Sequence, residues 1–197
     1  MKRVLRYIQG TITEGLFIAK ATLHTLTTFS DSDWAGCPDD RKSTGGFLVY
    51  LGPNLITWSS RKQKTVARSS TESEFKAVAD TCVELKWFKS LLAELDISLV
   101  HPPHIWCDNV GAVYLSSNPA FTARTRHVEV DFHFVRQLVL NHVVTVAPLS
   151  SADQLADVLT KPLPRIQFVK FKNKLRLLSH SPSACGGVSD KHSIIQA

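Results

Sequence analysis

A chain of 197 residues, 44% hydrophobic and 20% charged, is long enough to bury one sizeable core and ordinary in composition for a globular protein. No apolar run reaches the length a bilayer demands, and the N-terminal residues Met1 to Arg6 lack the apolar core of a secretory signal, so the expectation is an intracellular protein, cytoplasmic or nuclear. The net charge of +6 is concentrated: six basic residues and no acidic one lie between Lys161 and Arg176, leaving 17 Lys and Arg against 17 Asp and Glu elsewhere, which points to a polyanionic partner or to a solvated basic helix.

The elements read in chain order as follows. Val4 to Ile8 ends a short helix stopped by Gly10, and a strand follows near Gly15 to Ala19. Leu23 to Phe29, rich in β-branched residues, predicts a strand that Asp31 closes. Gly46 to Leu51 and Leu55 to Ser59 predict two more strands, joined by a hairpin loop at Gly52-Pro53-Asn54. The period then changes to that of a helix from Ser69 to Asp96, opened by the capping-box pattern Ser69-Ser70-Thr71-Glu72. A strand at His104 to Cys107, a helix from Asn109, a helix over His127 to Leu140 and a strand at Val143 to Ala147 come next. A short helix opens at a second capping-box pattern, Ser151-Ala152-Asp153-Gln154, and a basic helix runs from Pro164 to Leu178. Ser179 to Ala197 reads as a disordered tail. Three consecutive strands, a long helix, then alternating strands and helices predict an α/β fold with one mixed sheet: an antiparallel meander extended by parallel strands and flanked by helices. Trp34, Trp58, Trp87 and Trp106 read as core residues.

Cys37, Cys82, Cys107 and Cys185 form no CxxC pair, so a zinc knuckle is not expected. Acidic residues are the better candidates for chemistry. Asp31, Glu74, Asp108 and Asp157 each stand near the boundary of an element, although any one Asp is as well explained as a cap or a surface residue. If the Asp31 and Asp108 strands are neighbours, their carboxylates converge at one sheet end. Close carboxylates repel, and a hard cation relieves this, Mg²⁺ or Mn²⁺; two ions about 3.5–4 Å apart can clamp a phosphodiester. Glu72 and Glu74 are separated by about 200° of helix, so only one can face the sheet end. Glu74 shares a stripe with Val78, Thr81 and Leu85, whereas Glu72 serves the cap, which selects Glu74. Asp31 and Asp33 share strand parity and stay unseparated. Asp153 either supports Asp157 or charges a helix N-terminus.

These residues carry a resemblance. Ser30 to Gly36, Asp40 to Gly46, Trp58 to Ala67, Ser69 to Phe75, Cys107-Asp108-Asn109, Arg124 to Val130 and Asp153 to Pro162 resemble, in order and spacing, the RNase H domain of copia-type LTR retrotransposon Pol polyproteins. The resemblance covers roughly residues 2–178 and implies the RNase H fold, a five-stranded mixed sheet with flanking helices. It implies a four-carboxylate, two-metal site in which Asp31, Glu74, Asp108 and Asp157 match the family's carboxylates, and an endoribonuclease that cuts the RNA strand of RNA–DNA hybrids. It further implies no small-molecule cofactor and no membrane partner. Arg3 to Thr11 resembles the last helix of the reverse transcriptase that precedes this domain. The expected organisation is therefore residues 1–20 as the end of the reverse transcriptase, 21–162 as the RNase H domain, 163–178 as the basic helix and 179–197 as the tail. The chain is expected to be a fragment of a polyprotein, or a truncated copy with Met1 as a new start. Cellular RNase H enzymes usually place a His in the loop before the last aspartate to help product leave; Ala147 to Ala152 holds none, which implies either slower turnover or another residue in that role.

An RNA–DNA hybrid shows a wide, shallow minor groove, so contacts should read backbone shape and 2′-hydroxyls. The candidate contacts are Arg61, Lys62, Lys64 and Arg68 before the long helix, which a solvated loop explains equally well, Asn109 beside Asp108, and Arg124, Arg126 and His127, the last of which a packing or surface role would also explain. The competing readings are a catalytically silent hybrid-binding module, an integrase-type strand transferase, against which the missing N-terminal zinc motif counts, and a nonfunctional relic of the element.

Overall fold

A computed structural model describes residues 2–21, 24–118 and 129–179. Helix α1 (Lys2–Thr11) precedes a short strand β1 (Glu14–Leu16). Strands β2 (Leu26–Asp33), β3 (Thr44–Leu51) and β4 (Asn54–Lys62) follow, then the long helix α2 (Ser70–Glu94). Next come β5 (His104–Cys107), α3 (Val110–Ser117), α4 (Glu129–Leu140) and β6 (Thr145–Pro148). A 3-10 turn at Ser151–Asp153 leads to the one-turn helix α5 (Asp157–Thr160), helix α6 (Arg165–Lys174) and strand β7 (Leu177–Ser179).

The expected mixed sheet is present. Its order is β4-β3-β2-β5-β6, with β2–β3 and β3–β4 antiparallel and β2–β5 and β5–β6 parallel. Alternation along the strands sends side chains to two faces. Leu26, Val49, Ile105 and Cys107 pack with Phe75, Val78, Cys82 and Leu85 of α2 and with Phe132 and Val135 of α4. Leu48, Tyr50 and Leu55 pack on the other face with Leu155, with Phe171 of α6 and with Leu175, the residue that caps its C-terminus. Between β3 and β4 the chain turns at Gly52, whose φ of 56° lies where an L side chain is strained.

Several expectations need correction. Helix α1 passes through Gly10 to Thr11, because one glycine costs a helix only about 1 kcal/mol. Strand β2 continues to Asp33, so Asp31 lies inside the strand rather than closing it. The second capping box does not form: the 3-10 turn follows Ser150 without a side-chain cap, and Gln154 turns inward, fully buried, to donate from Nε2 to the Ser30 carbonyl at 2.9 Å. The first box forms with a shifted return bond: Ser69 Oγ accepts from the Glu72 amide, while Glu72 Oε2 accepts from Arg68 N instead of the cap's own amide. Trp34, Trp58 and Trp87 are about half exposed rather than core, Trp58 because it sits on the edge strand β4.

The basic segment is built into the fold. Phe171 is fully buried, and β7 pairs antiparallel with β1. Lys170 and Lys174 both reach Asp153, and Lys172 pairs with Glu14. Much of the surplus charge is thus answered by acids outside the segment, and Asp153, in the first turn of the 3-10 helix, is the partner of two of these lysines. Among the described residues no helix is long and apolar enough to cross a membrane. Residues 180–197, with the expected tail and Cys185, lie outside the described residues.

Candidate metal centre

Four elements bring carboxylates to one end of the central strands. Asp31 stands in β2 opposite Gly46 of β3, fully buried, on the face that α5 covers. Its carboxylate accepts from the Thr160 hydroxyl and from Lys161 Nζ at 2.9 Å. Asp157, the first residue of α5, is buried as well and accepts from Lys161 at 2.8 Å. Glu74 comes from the second turn of α2, 5% exposed, and its Oε1 accepts from the Ser32 amide at 3.1 Å. Asp108 follows the last residue of β5, the parallel neighbour of β2. Oxygens of Glu74 and Asp108 and the sulfur of Cys107 all lie within 4.8 Å of one another.

The electrostatics link all four groups. Burial, followed by the charges of Asp31 and Asp108, pushes the Glu74 carboxyl up to about 9, so it holds a proton at neutral pH. Burial also raises Asp157, as do Asp31 and Asp108, although the hydrogen bond from Lys161 works the other way. Burial alone would lower Lys161, but its hydrogen bonds to Asp157 and Asp31 outweigh that and hold the ammonium charged. Burial, and after it the Glu74 carboxyl, push the Cys107 thiol up.

The helix phase that selected Glu74 agrees with this geometry. Glu72 is spent on Arg68 N and on an ion pair with Lys76 at 2.6 Å. Asp31 and Asp33, which parity could not separate, are told apart by their partners. Asp33 accepts from the Thr44 amide and folds over Gly36, where an added Cβ would collide with its Oδ2. Asp33 is thus committed to a turn.

The candidate nucleic-acid contacts are scattered. Arg61 and Lys62 end β4 and are exposed, as are Lys64 and Arg68 before α2. Lys62 pairs with Asp40 at 2.9 Å and meets Cys37 Sγ at 3.0 Å. Asn109 caps α3, its Oδ1 accepting from Ala112 N at 3.0 Å and from Thr71 Oγ1 at 3.3 Å. Arg124, Arg126 and His127 lie outside the described residues. Sequence reading missed Thr160, Lys161, Gln154 and Cys107. Only Lys161 had a local signal, its i,i+4 spacing from Asp157.

The donor set suits a hard divalent cation. It is rich in carboxylate oxygen, one carboxyl is kept protonated by its neighbours, and an ammonium already bridges two others.

No family model matches the chain. The retrovirus-related Pol polyprotein from transposon RE2 of Arabidopsis thaliana is 52% identical over 188 residues, covering 95% of this chain and 13% of that protein. The corresponding polyprotein from transposon RE1 of the same plant is 50% identical over 183 residues, covering 93% and 12%. The chain spans only a small part of the length of these relatives. Among solved structures, LC11-RNase H1, isolated from compost by a metagenomic approach, superposes with a TM-score of 0.53 at 12% identity, over 70% of this chain and 94% of that one. The structure of LC11-RNase H1 in complex with RNA/DNA hybrid gives a TM-score of 0.51 at 10% identity, over 69% and 94%. At such identities the likeness establishes the fold.

Proposed function

Because the chain belongs to the copia-type retrotransposon Pol polyproteins and has the RNase H fold, we propose that it is a metal-dependent endoribonuclease that cuts the RNA strand of RNA–DNA hybrids. The observation that supports this reading is the approach of Asp31, Glu74, Asp108 and Asp157 at one sheet end, where the charges of Asp31 and Asp108 raise both Glu74 and Asp157. Such a cluster is costly to bury for structural reasons alone. The relative solved in complex with RNA/DNA hybrid supports the substrate class.

In this reading the four carboxylates hold Mg²⁺ or Mn²⁺, a pair of ions, which when bound supplies Lewis-acid stabilisation of the phosphodiester and an activated water. The rest is the work of the chain. Thr160 fixes one Asp31 oxygen, and the Ser32 amide fixes one Glu74 oxygen, so both carboxylates are oriented before anything binds. Asp108 and Asp157 close the site from β5 and α5. Exposed Arg61, Lys64 and Arg68 present charge to the phosphates of the substrate, and Arg124, Arg126 and His127 are proposed to do the same. We assign residues 1–20 to the junction with the reverse transcriptase of the parent polyprotein, 21–162 to the nuclease, 163–178 to the basic segment, whose helix ends at Lys174 rather than Leu178 before the chain enters β7, and 179–197 to a tail that starts at the last residue of β7, with an intracellular site of action, cytoplasmic or nuclear. Exposed Val4, Leu5 and Ile8 of α1 suit a protein neighbour on that side.

The test is incubation with end-labelled RNA–DNA hybrid, DNA duplex and single-stranded RNA, with Mg²⁺ and with a chelator. The expected result is internal cleavage of the RNA strand of the hybrid alone, abolished by the chelator. Binding without cleavage at any Mg²⁺ or Mn²⁺ concentration would favour the silent binding module instead.

A further inference from the structure

Lys161 is aimed into the proposed metal centre. An i,i+4 pair with Asp157 would form on any exposed helix, but Asp31 belongs to a different element and is fully buried. The ammonium lies 2.9 Å from Asp31 and 2.8 Å from Asp157, so it bridges α5 to β2 across the site. Glu74 and Asp108, with oxygens within 4.8 Å of each other, have no ion-pair partner among the described residues. One half of the centre thus already holds a cation and the other does not.

A divalent cation binds carboxylate oxygen at about 2.0–2.1 Å for Mg²⁺. An ion sharing the oxygens of Asp31 and Asp157 would then stand only a few ångströms from Nζ, with strong like-charge repulsion. The side chain can yield. Its long, flexible stem is 38% exposed, which leaves a path for the ammonium to swing into solvent or toward a substrate phosphate.

We propose that Lys161 is the resident cation of the metal-free centre, holding Asp31 and Asp157 together until a divalent ion displaces it. The inference rests on the metal-centre reading above. It predicts two unequal steps of metal binding. The half formed by Glu74 and Asp108 fills first, and the half that must evict Lys161 fills at higher concentration.

The experiment is calorimetric titration of the full chain with Mn²⁺, without nucleic acid, comparing the parent with Lys161→Met and Lys161→Arg, alongside thermal melts with and without Mn²⁺. Met keeps the length and removes the charge. The expected outcome is that Lys161→Met tightens the weaker Mn²⁺ step by about tenfold, while Lys161→Arg stays close to the parent. Lys161→Met should also melt below the parent without metal and regain or exceed its melting temperature in saturating Mn²⁺. Should it fold only with Mn²⁺, that too is the predicted coupling; should it fail to fold at all, Lys161→Gln, which retains a donor, carries the same readings. Equal or weaker Mn²⁺ binding by the uncharged variants would overturn the proposal. Asp108→Asn separates this from failure of the underlying reading: if it binds Mn²⁺ as the parent does, the centre itself is wrong whatever Lys161 does.

Discussion

Gly46 ties the fold to the site more tightly than any carboxylate. It lies in β3 opposite Asp31 on one side and Ser60 on the other. A Cβ added there would stand 2.9 Å from Thr160 Cγ2, 3.1 Å from Leu159 Cβ and 3.3 Å from the Ser59 carbonyl. The first two belong to α5, which also carries Asp157 and the hydroxyl that holds Asp31. Gly46→Ala must push α5 away from the sheet. Overpacking of this kind costs about 1–3 kcal/mol, and the loss of glycine freedom in the unfolded chain offsets about 0.4–1 kcal/mol of it. A net loss of about 1–2 kcal/mol lowers the melting temperature by about 2–8 °C in a domain of this size. Gly45→Ala is the control, because its nearest neighbours, Gln63 Nε2 at 3.5 Å and Ala77 Cβ at 3.6 Å, are at ordinary contact distance. Thermal melts of the two variants, with single-turnover cleavage of hybrid, measure both effects. Gly46→Ala is expected to lose cleavage out of proportion to stability. Parent-like melting and cleavage by Gly46→Ala, or equal damage from Gly45→Ala, would refute the packing argument.

Other expectations follow from single contacts. Phe171→Ala empties a fully buried site between α6 and β3 and should cost about 3–5 kcal/mol in a denaturant melt, so the basic helix cannot be treated as a detachable tail. In the metal-free protein the raised pKa of Glu74 means the folded state keeps its proton while the unfolded chain loses it, so stability should be full below about pH 4.5 and fall as pH rises toward about 9. The groups that act on Glu74 are Asp31 and Asp108, which raise it, and the Ser32 amide, which lowers it, with the Cys107 thiol in contact and Lys161 and Asp157 beyond; Glu74→Gln or bound Mg²⁺ should flatten the profile, and an unchanged slope in Glu74→Gln would assign it elsewhere. In salt-dependent hybrid binding, Arg61→Gln with Lys64→Gln should flatten the slope by about 0.9 per lost phosphate contact, whereas Lys170→Gln with Lys174→Gln should change it less, since both lysines already pair with Asp153.

The legible part of this molecule was whatever depends on local period. Alternation in β2 and β3, the helical stripe through Glu74 and Val78, and the Ser69 cap are short-range patterns, and a mixed sheet with an antiparallel meander followed from them through the rules of chain connection, whereas the adjacency of β2 and β5 stayed conditional until the fold placed them side by side. Periodicity chose Glu74 over Glu72 because two residues on a helix face opposite ways. It could not choose Asp31 over Asp33 because two residues on a strand face the same way. That choice depends on Thr44 and Gly36, which the turn folds back onto Asp33. Pairings across the whole chain were likewise out of reach. Lys172 finds Glu14, Gln154 finds the Ser30 carbonyl and Lys161 finds Asp31 only after the sheet and α5 have formed. For that reason the C-terminal charge read as a surplus, when Lys161, Lys170, Lys172 and Lys174 are all engaged by carboxylates, Lys172 by Glu14 near the other end of the chain.

The most direct measurement of the central claim is the single-turnover rate of RNA-strand cleavage in a labelled hybrid by the parent and by Asp108→Asn, at saturating Mg²⁺ and at enzyme concentrations that saturate the hybrid. Asn preserves the shape of the side chain and removes one charge from the cluster of Glu74, Cys107 and Asp108. With melting temperature and hybrid affinity matched, the account predicts cleavage by the parent and its loss, by at least about a thousandfold or some 4 kcal/mol of barrier, in the variant. Equal rates from the two proteins would contradict it.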